Sequence, residues 1–270
     1  MCRLRLLFCV GLMSAGCSGE YILTAGDHVA PTGGPVLAVI RLQRSELYKL
    51  AMPVKNAPVQ FRVEGAPERV AYTDDLGYAG ARLAAPGKAG KYRMSIKHQD
   101  SDGDVLSAEA TVYAWDAAGP VVAVDFDCLP AVGGQDAKAA RSALAGINRR
   151  ASILYLTSRP VAEHKLVHSQ IASAGYPDGP VLLWQRQLWH IRQGGGNMLP
   201  EVVVRDRLVS QLAELRKAFP NLKKGVCSTR LAAKAFAEAG LACVIVGPAE
   251  VDPGGVVYRK SWEKLVAEGI

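Results

Sequence analysis

Hydrophobic and polar positions change rhythm once along the chain, near residue 118. Before it, short segments alternate with period two, as in Phe61-Arg62-Val63 and Tyr92-Arg93-Met94-Ser95-Ile96. Turn residues separate them, at Asp74-Asp75-Leu76-Gly77, Ala85-Pro86-Gly87 and Asp100-Ser101-Asp102-Gly103. Strands are predicted at 36–42, 59–63, 70–73, 80–83, 92–97 and 105–113. Many short alternating strands with regular turns predict a β-sandwich. After Ala117-Ala118-Gly119-Pro120 the strands become unbroken apolar runs separated by helical patterns. Strands are predicted at 121–125, 152–157, 181–183, 225–227 and 242–246. Helices are predicted at 135–149, 161–174, 203–218, 230–239 and 262–268. That alternation predicts a doubly wound α/β domain with a mainly parallel sheet, buried on both faces.

The first residues read as targeting rather than fold. Arg3 and Arg5 precede a short apolar run, Leu6 to Met13, and then Ser14-Ala15-Gly16-Cys17. The run is too short to span a bilayer. It resembles a bacterial lipoprotein signal, which implies removal of residues 1–16, lipid on Cys17 and an exported chain anchored to a membrane. Residues 17–35, with Gly26, Pro31, Gly33, Gly34 and Pro35, read as a tether. The sandwich is then expected over 36–118 and the α/β domain over 119–270.

Composition narrows the partners. The 270 residues are 49% apolar, enough for two cores, and the net charge of +7 is spread without a long basic run. No basic stripe with interleaved aromatics marks a nucleic-acid partner.

The candidate chemistry lies at the end of the 121–125 strand. Val121-Val122-Ala123-Val124 leads into Asp125-Phe126-Asp127, with two carboxylates one residue apart. Ligands of parallel sheets bind beyond the carboxyl ends of the strands. Two acids there hold a metal or carry proton or nucleophile chemistry. A plain turn with a capping aspartate accounts for the same residues.

The wider set resembles a family. Val124-Asp125-Phe126-Asp127, Ile153-Leu154-Tyr155-Leu156-Thr157 continued by Ser158-Arg159-Pro160, Gly179-Pro180-Val181-Leu182-Leu183, and Gly225-Val226-Cys227-Ser228-Thr229-Arg230 occur in that order. Together they resemble the haloacid dehalogenase (HAD) superfamily, and within it the phosphatase-like domain of lipins and Nir proteins. The segment 71–92 is similar to bacterial immunoglobulin-like repeats. The HAD resemblance implies Asp125 as nucleophile, Asp127 as acid–base, and Thr157 on the phosphoryl oxygens. Arg205 or Arg207 then supplies the missing basic residue, with Arg207 the choice in the site. It implies Mg²⁺ held by Asp125, Asp127 and Ser228, and a phosphomonoester substrate or ligand of the lipid-phosphate class.

The sequence departs from that family in two places. Cys128-Leu129-Pro130 follows the aspartate pair, and Ser228 and Ala232 stand where metal-binding acids belong. A phosphohydrolase, a catalytically inactive binder of a phospholipid or protein, and a structural envelope lipoprotein all stay open. Adjacency of motif strands in the family implies a Cys128–Cys227 disulfide, with two buried thiols the alternative. His164 and His168 share a helix face but lack an evident third ligand, so they read as surface histidines. Trp184, Trp189 and His190 read as core or cleft lining.

Overall fold

The structure is a computed structural model that describes residues 20–45, 51–130, 135–183, 201–247, 257–259 and 261–268, with the side chains of 135, 201–205, 257–259 and 268 undescribed. Cys17, Trp184, Trp189 and His190 lie outside the described residues, as does the side chain of Arg205.

Nine strands form the first region: β1 (Tyr21–Ala25), β2 (His28–Pro31), β3 (Pro35–Ser45), β4 (Ala51–Pro53), β5 (Pro58–Val63), β6 (Arg69–Tyr72), β7 (Tyr78–Ala84), β8 (Gly90–Gln99) and β9 (Val105–Trp115). β3 pairs with β1, β4 and β7, all antiparallel. The second sheet runs β2-β9-β8-β5-β6, with β2 parallel to β9. Period-two alternation turns one face of each sheet inward. Val36, Ala38, Ile40 and Leu42 of β3 share one core with Val59, Phe61, Val63, Met94 and Ile96 of the facing sheet. Burying the apolar face of two sheets against each other is what holds a sandwich together.

The stretch expected as a tether is a correction. Residues 21–31 form β1 and β2, not a free linker. Tyr21-Ile22-Leu23-Thr24 is β-prone and pairs in register with Arg41–Arg44 of β3, which satisfies its backbone polar groups. Glycine and proline are confined mostly to the turn that follows, where Gly33 adopts φ of 70°.

The second region contains β10 (Val121–Asp125), α1 (Gln135–Asn148), β11 (Ser152–Thr157), α2 (His164–Ala174), β12 (Val181–Leu183), α3 (Glu201–Ala218), β13 (Leu222–Cys227), α4 (Arg230–Glu238), β14 (Ala242–Val246), β15 (Val257–Arg259) and α5 (Trp262–Glu268). All six strands are parallel, in the order β12-β11-β10-β13-β14-β15. Alternate side chains of each strand feed two different cores. Val121 and Ala123 pack with Leu208, Leu212 and Phe236 of α3 and α4. Val122 and Val124 pack with Leu144 of α1, Val167 of α2 and Leu265 of α5. The sheet is thus covered on both faces, and β10, with its aspartates, stands between β11 and β13.

The two regions touch through several contacts. Trp115 at the end of β9 meets Phe219 edge-on, with ring centroids 5.9 Å apart. The Tyr113 hydroxyl donates to Asp178 at 3.2 Å, and Lys91 pairs with the same carboxylate at 2.8 Å. Among the described residues no helix is long and apolar enough to cross a membrane.

Candidate functional site

β10 ends on Asp125, and a 3-10 turn, Phe126–Cys128, follows at once. The Asp125 side chain caps that turn, accepting a hydrogen bond from the Asp127 N–H at 3.2 Å. Asp125 is only 7% exposed. Burial raises its carboxyl first, and the charge of Asp127 raises it further. The Asp127 N–H offsets part of this, leaving the carboxyl pushed up to about 7. A carboxyl that holds its proton more tightly is a weaker nucleophile.

Asp127 is held differently. Its Oδ2 accepts from the Ser158 N–H at 3.2 Å, the Ser158 hydroxyl at 3.1 Å and the Thr157 hydroxyl at 3.4 Å. Its Oδ1 lies 3.3 Å from Arg159 Nε. Thr157 is the last residue of β11, which pairs with β10 in parallel, so 157–159 emerge beside the aspartates. Arg159 is braced in turn. Its Nη1 donates to Gln170 at 3.0 Å, and its guanidinium lies 5.0 Å from the centre of the Phe126 ring.

Beside this cluster is a cleft of about 200 Å³, lined by Phe126, Leu129, Pro130, Ala174 and Tyr176 with Asp127, Arg159 and Gln170 on its polar side. The Asp127 and Arg159 side chains are 29% and 32% exposed, so the charged pair faces the opening. A larger cavity, about 360 Å³, lies at the opposite, amino-terminal edge of the sheet near Lys223 and Lys224, away from these groups.

Some of the predicted site residues meet directly. Asp127 and Thr157 are brought into contact, with Asp125 immediately before them on β10. Arg207 sits on α3, half-buried, and its Nη1 has no hydrogen-bond partner among the described residues. The guanidinium that pairs with Asp127 is that of Arg159, and only its position two residues after Thr157 signalled it. Ser228 follows β13 and is half-buried, just before Thr229, which caps α4 by accepting from the Ala232 N–H at 3.2 Å.

Around the aspartate pair, the described side chains offer Mg²⁺ few free donors. Hard octahedral coordination favours several oxygen ligands, and here Asp125 is buried as a cap while the oxygens of Asp127 are taken by neighbours. Among the described residues, no third acid, histidine or cysteine stands close enough to share an ion with the pair.

The cysteines follow the thiol alternative rather than the disulfide that the resemblance implies. Cys128, Cys227 and Cys243 are free thiols. Cys227 Sγ lies 3.2 Å from Cys243 Sγ, on the neighbouring strand β14, rather than bonded to Cys128.

His164 and His168 are not surface histidines. The His164 side chain is 10% exposed, and both rings approach Asp27 in the loop between β1 and β2. Burial alone would raise the Asp27 carboxyl. Its contacts with the His164 and His168 rings hold it instead well below the usual carboxylate range. Asp27 lies 137 residues from His164, and no sequence signal joins them.

No family model and no curated relative matches the chain. Solved structures resemble parts of it. The tandem Ig repeats of Dlar are 13% identical with a TM-score of 0.26, over 39% of this chain and 58% of that one. PhoD is 10% identical with a TM-score of 0.31, over 60% of this chain and 37% of that one. A bacterial immunoglobulin-like domain from the M. primoryensis ice-binding adhesin is 11% identical with a TM-score of 0.20, over 34% and 96%. The chain spans less than two thirds of the length of the first two. At such TM-scores these likenesses carry no argument about function.

Proposed function

We propose that the chain is an exported lipoprotein whose HAD-like α/β domain, presented by an immunoglobulin-like sandwich, binds a phosphomonoester without efficient hydrolysis. One observation carries the reading. Donors from three consecutive residues, Thr157, Ser158 and Arg159, converge on a single anionic group at the mouth of a cleft. Hydroxyl, backbone N–H and guanidinium are the groups that recognise phosphate oxygens, and the guanidinium supplies the countercharge. The Asp127 carboxylate accepts these bonds, and a phosphomonoester takes them by displacing it. The apolar cleft wall of Phe126, Leu129 and Tyr176 suits an ester with an apolar body, as in a lipid phosphate.

The strand order supports the HAD reading, because β10 lies between β11 and β13, as motif strands of that superfamily do. The raised, buried Asp125 and the serine at position 228 support binding over turnover. The membrane partner is the bilayer that holds lipidated Cys17.

Titration of the protein with a short-chain phosphatidate, with the matching phosphatidylcholine as control, tests this. One site per chain is expected for the phosphatidate, none for the control, with at least a tenfold loss in Arg159→Ala. Equal binding by wild type and Arg159→Ala would overturn the assignment of the cradle.

A further inference from the structure

A second cluster, at the junction of the two regions, plays no part in the cleft. His164 and His168 lie four residues apart at the start of α2, so their rings project from one face, with centroids 4.7 Å apart. Asp27 reaches them from the β1–β2 loop of the sandwich. Its carboxylate is 1% exposed, and the Oδ2 atom lies 2.7 Å from His168 Nε2 and 3.5 Å from His164 Nε2. One donor atom from each residue falls within 4.8 Å of the other two.

From this geometry we propose that Asp27, His164 and His168 form a divalent transition-metal site of the zinc class, which clamps the sandwich to the α/β domain. Four-coordinate zinc holds nitrogen and oxygen donors at about 2.0–2.1 Å, which sets neighbouring donors roughly 3.3 Å apart. The two distances from Asp27 Oδ2 bracket that spacing, so small rotations of the side chains suffice.

The supporting groups are already in place. Asp27 Oδ2 accepts the Val181 N–H at 3.0 Å, which fixes the carboxylate from β12. His164 Nε2 accepts the Asp27 backbone N–H at 3.1 Å, so this nitrogen offers a lone pair beside the carboxylate. Metal binding exchanges that hydrogen bond for a metal–nitrogen bond, and it displaces the proton between His168 and Asp27. The His168 side chain is 29% exposed, which leaves a route for the ion and a fourth position for water. Two imidazoles and one carboxylate favour zinc over Mg²⁺ or Ca²⁺, which select all-oxygen sets.

The test uses the full chain, stripped by a chelator and titrated with Co²⁺ as the spectroscopic probe, then with Zn²⁺. One Co²⁺ per chain is expected, with the visible absorption of a tetrahedral site that Zn²⁺ abolishes, and a rise of several degrees in the unfolding midpoint. His168→Gln keeps a hydrogen-bond donor toward Asp27 and is expected to retain the fold, by circular dichroism, while losing the Co²⁺ absorption. Asp27→Asn is expected to lose it as well. Asp100→Asn, in an exposed hairpin turn, is expected to keep it. Absence of stoichiometric Co²⁺, or absorption that survives in folded His168→Gln, would overturn the site and leave a hydrogen-bonded latch without metal.

Discussion

Replacing Asp125 with asparagine is expected to stabilise the protein, and only above acidic pH. Burial, and then the Asp127 charge, push the carboxyl up to about 7 in the folded chain, against about 3.9 for an ordinary aspartate. Below about pH 4 it is protonated in both states and costs nothing. As pH rises from about 4 to 7 the unfolded chain loses this proton while the folded chain keeps it, so folding stability falls across that window. Above 7 the loss is complete, at about 1.4 kcal/mol for each unit of separation, or on the order of 4 kcal/mol. Asparagine keeps an oxygen to accept the Asp127 N–H and removes the charge, so the cap survives. Urea unfolding of wild type and Asp125→Asn at pH 4 and pH 8 reads the difference. The expected gain is about 2–4 kcal/mol at pH 8 and close to zero at pH 4. A variant no more stable than wild type at pH 8, or one equally stabilised at both pH values, would refute the burial argument. A residue that costs stability in this way marks a site shaped for something other than folding.

Three further outcomes follow from the geometry. Ser228→Asp places an acid at the end of β13, beside β10, and is expected to tighten Mg²⁺ binding by roughly tenfold or more, read by calorimetry; unchanged affinity would show that Ser228 does not face the pair. Gly225→Ala is expected to cost about 1–3 kcal/mol in denaturant unfolding, because an added Cβ meets the buried Phe236 ring well inside van der Waals contact; an unchanged midpoint would show that the ring yields freely. Cys227 is expected to resist alkylation in the native state, because its hydrogen bond to Cys243, and then burial, raise its thiol. Once the chain is unfolded without reductant, Cys128, Cys227 and Cys243 are all expected to react, and an intact mass two hydrogens light would instead reveal a disulfide.

Much of the architecture was legible because strand and helix periods differ. The unbroken Val121–Val124 run, the alternation in β5 and β8, and the apolar spacing of α1 and α4 all fall where the pattern places them. β1 and β2 were missed because glycine and proline nearby outweighed a short β-prone stretch whose partners are distant. β4 and β15, three residues each, are too short to carry a period. At the site, the aspartate pair and Thr157 could be read from their place at strand ends. Arg159 could not be preferred over Arg207, since only the turn after β11 decides which guanidinium meets Asp127. Asp27 was hidden for a different reason. A lone acid near the start of the chain gains its meaning only when folding brings α2 against the β1–β2 loop.

The most direct test of binding without turnover is ³¹P NMR of a short-chain phosphatidate mixed in equal amount with the protein and Mg²⁺. The expected spectrum shows the ester signal shifted and broadened, unshifted with Arg159→Ala, and no inorganic phosphate growing in over many hours. A growing inorganic phosphate signal that Asp125→Asn abolishes, or an ester signal that the protein leaves unmoved, would contradict the account.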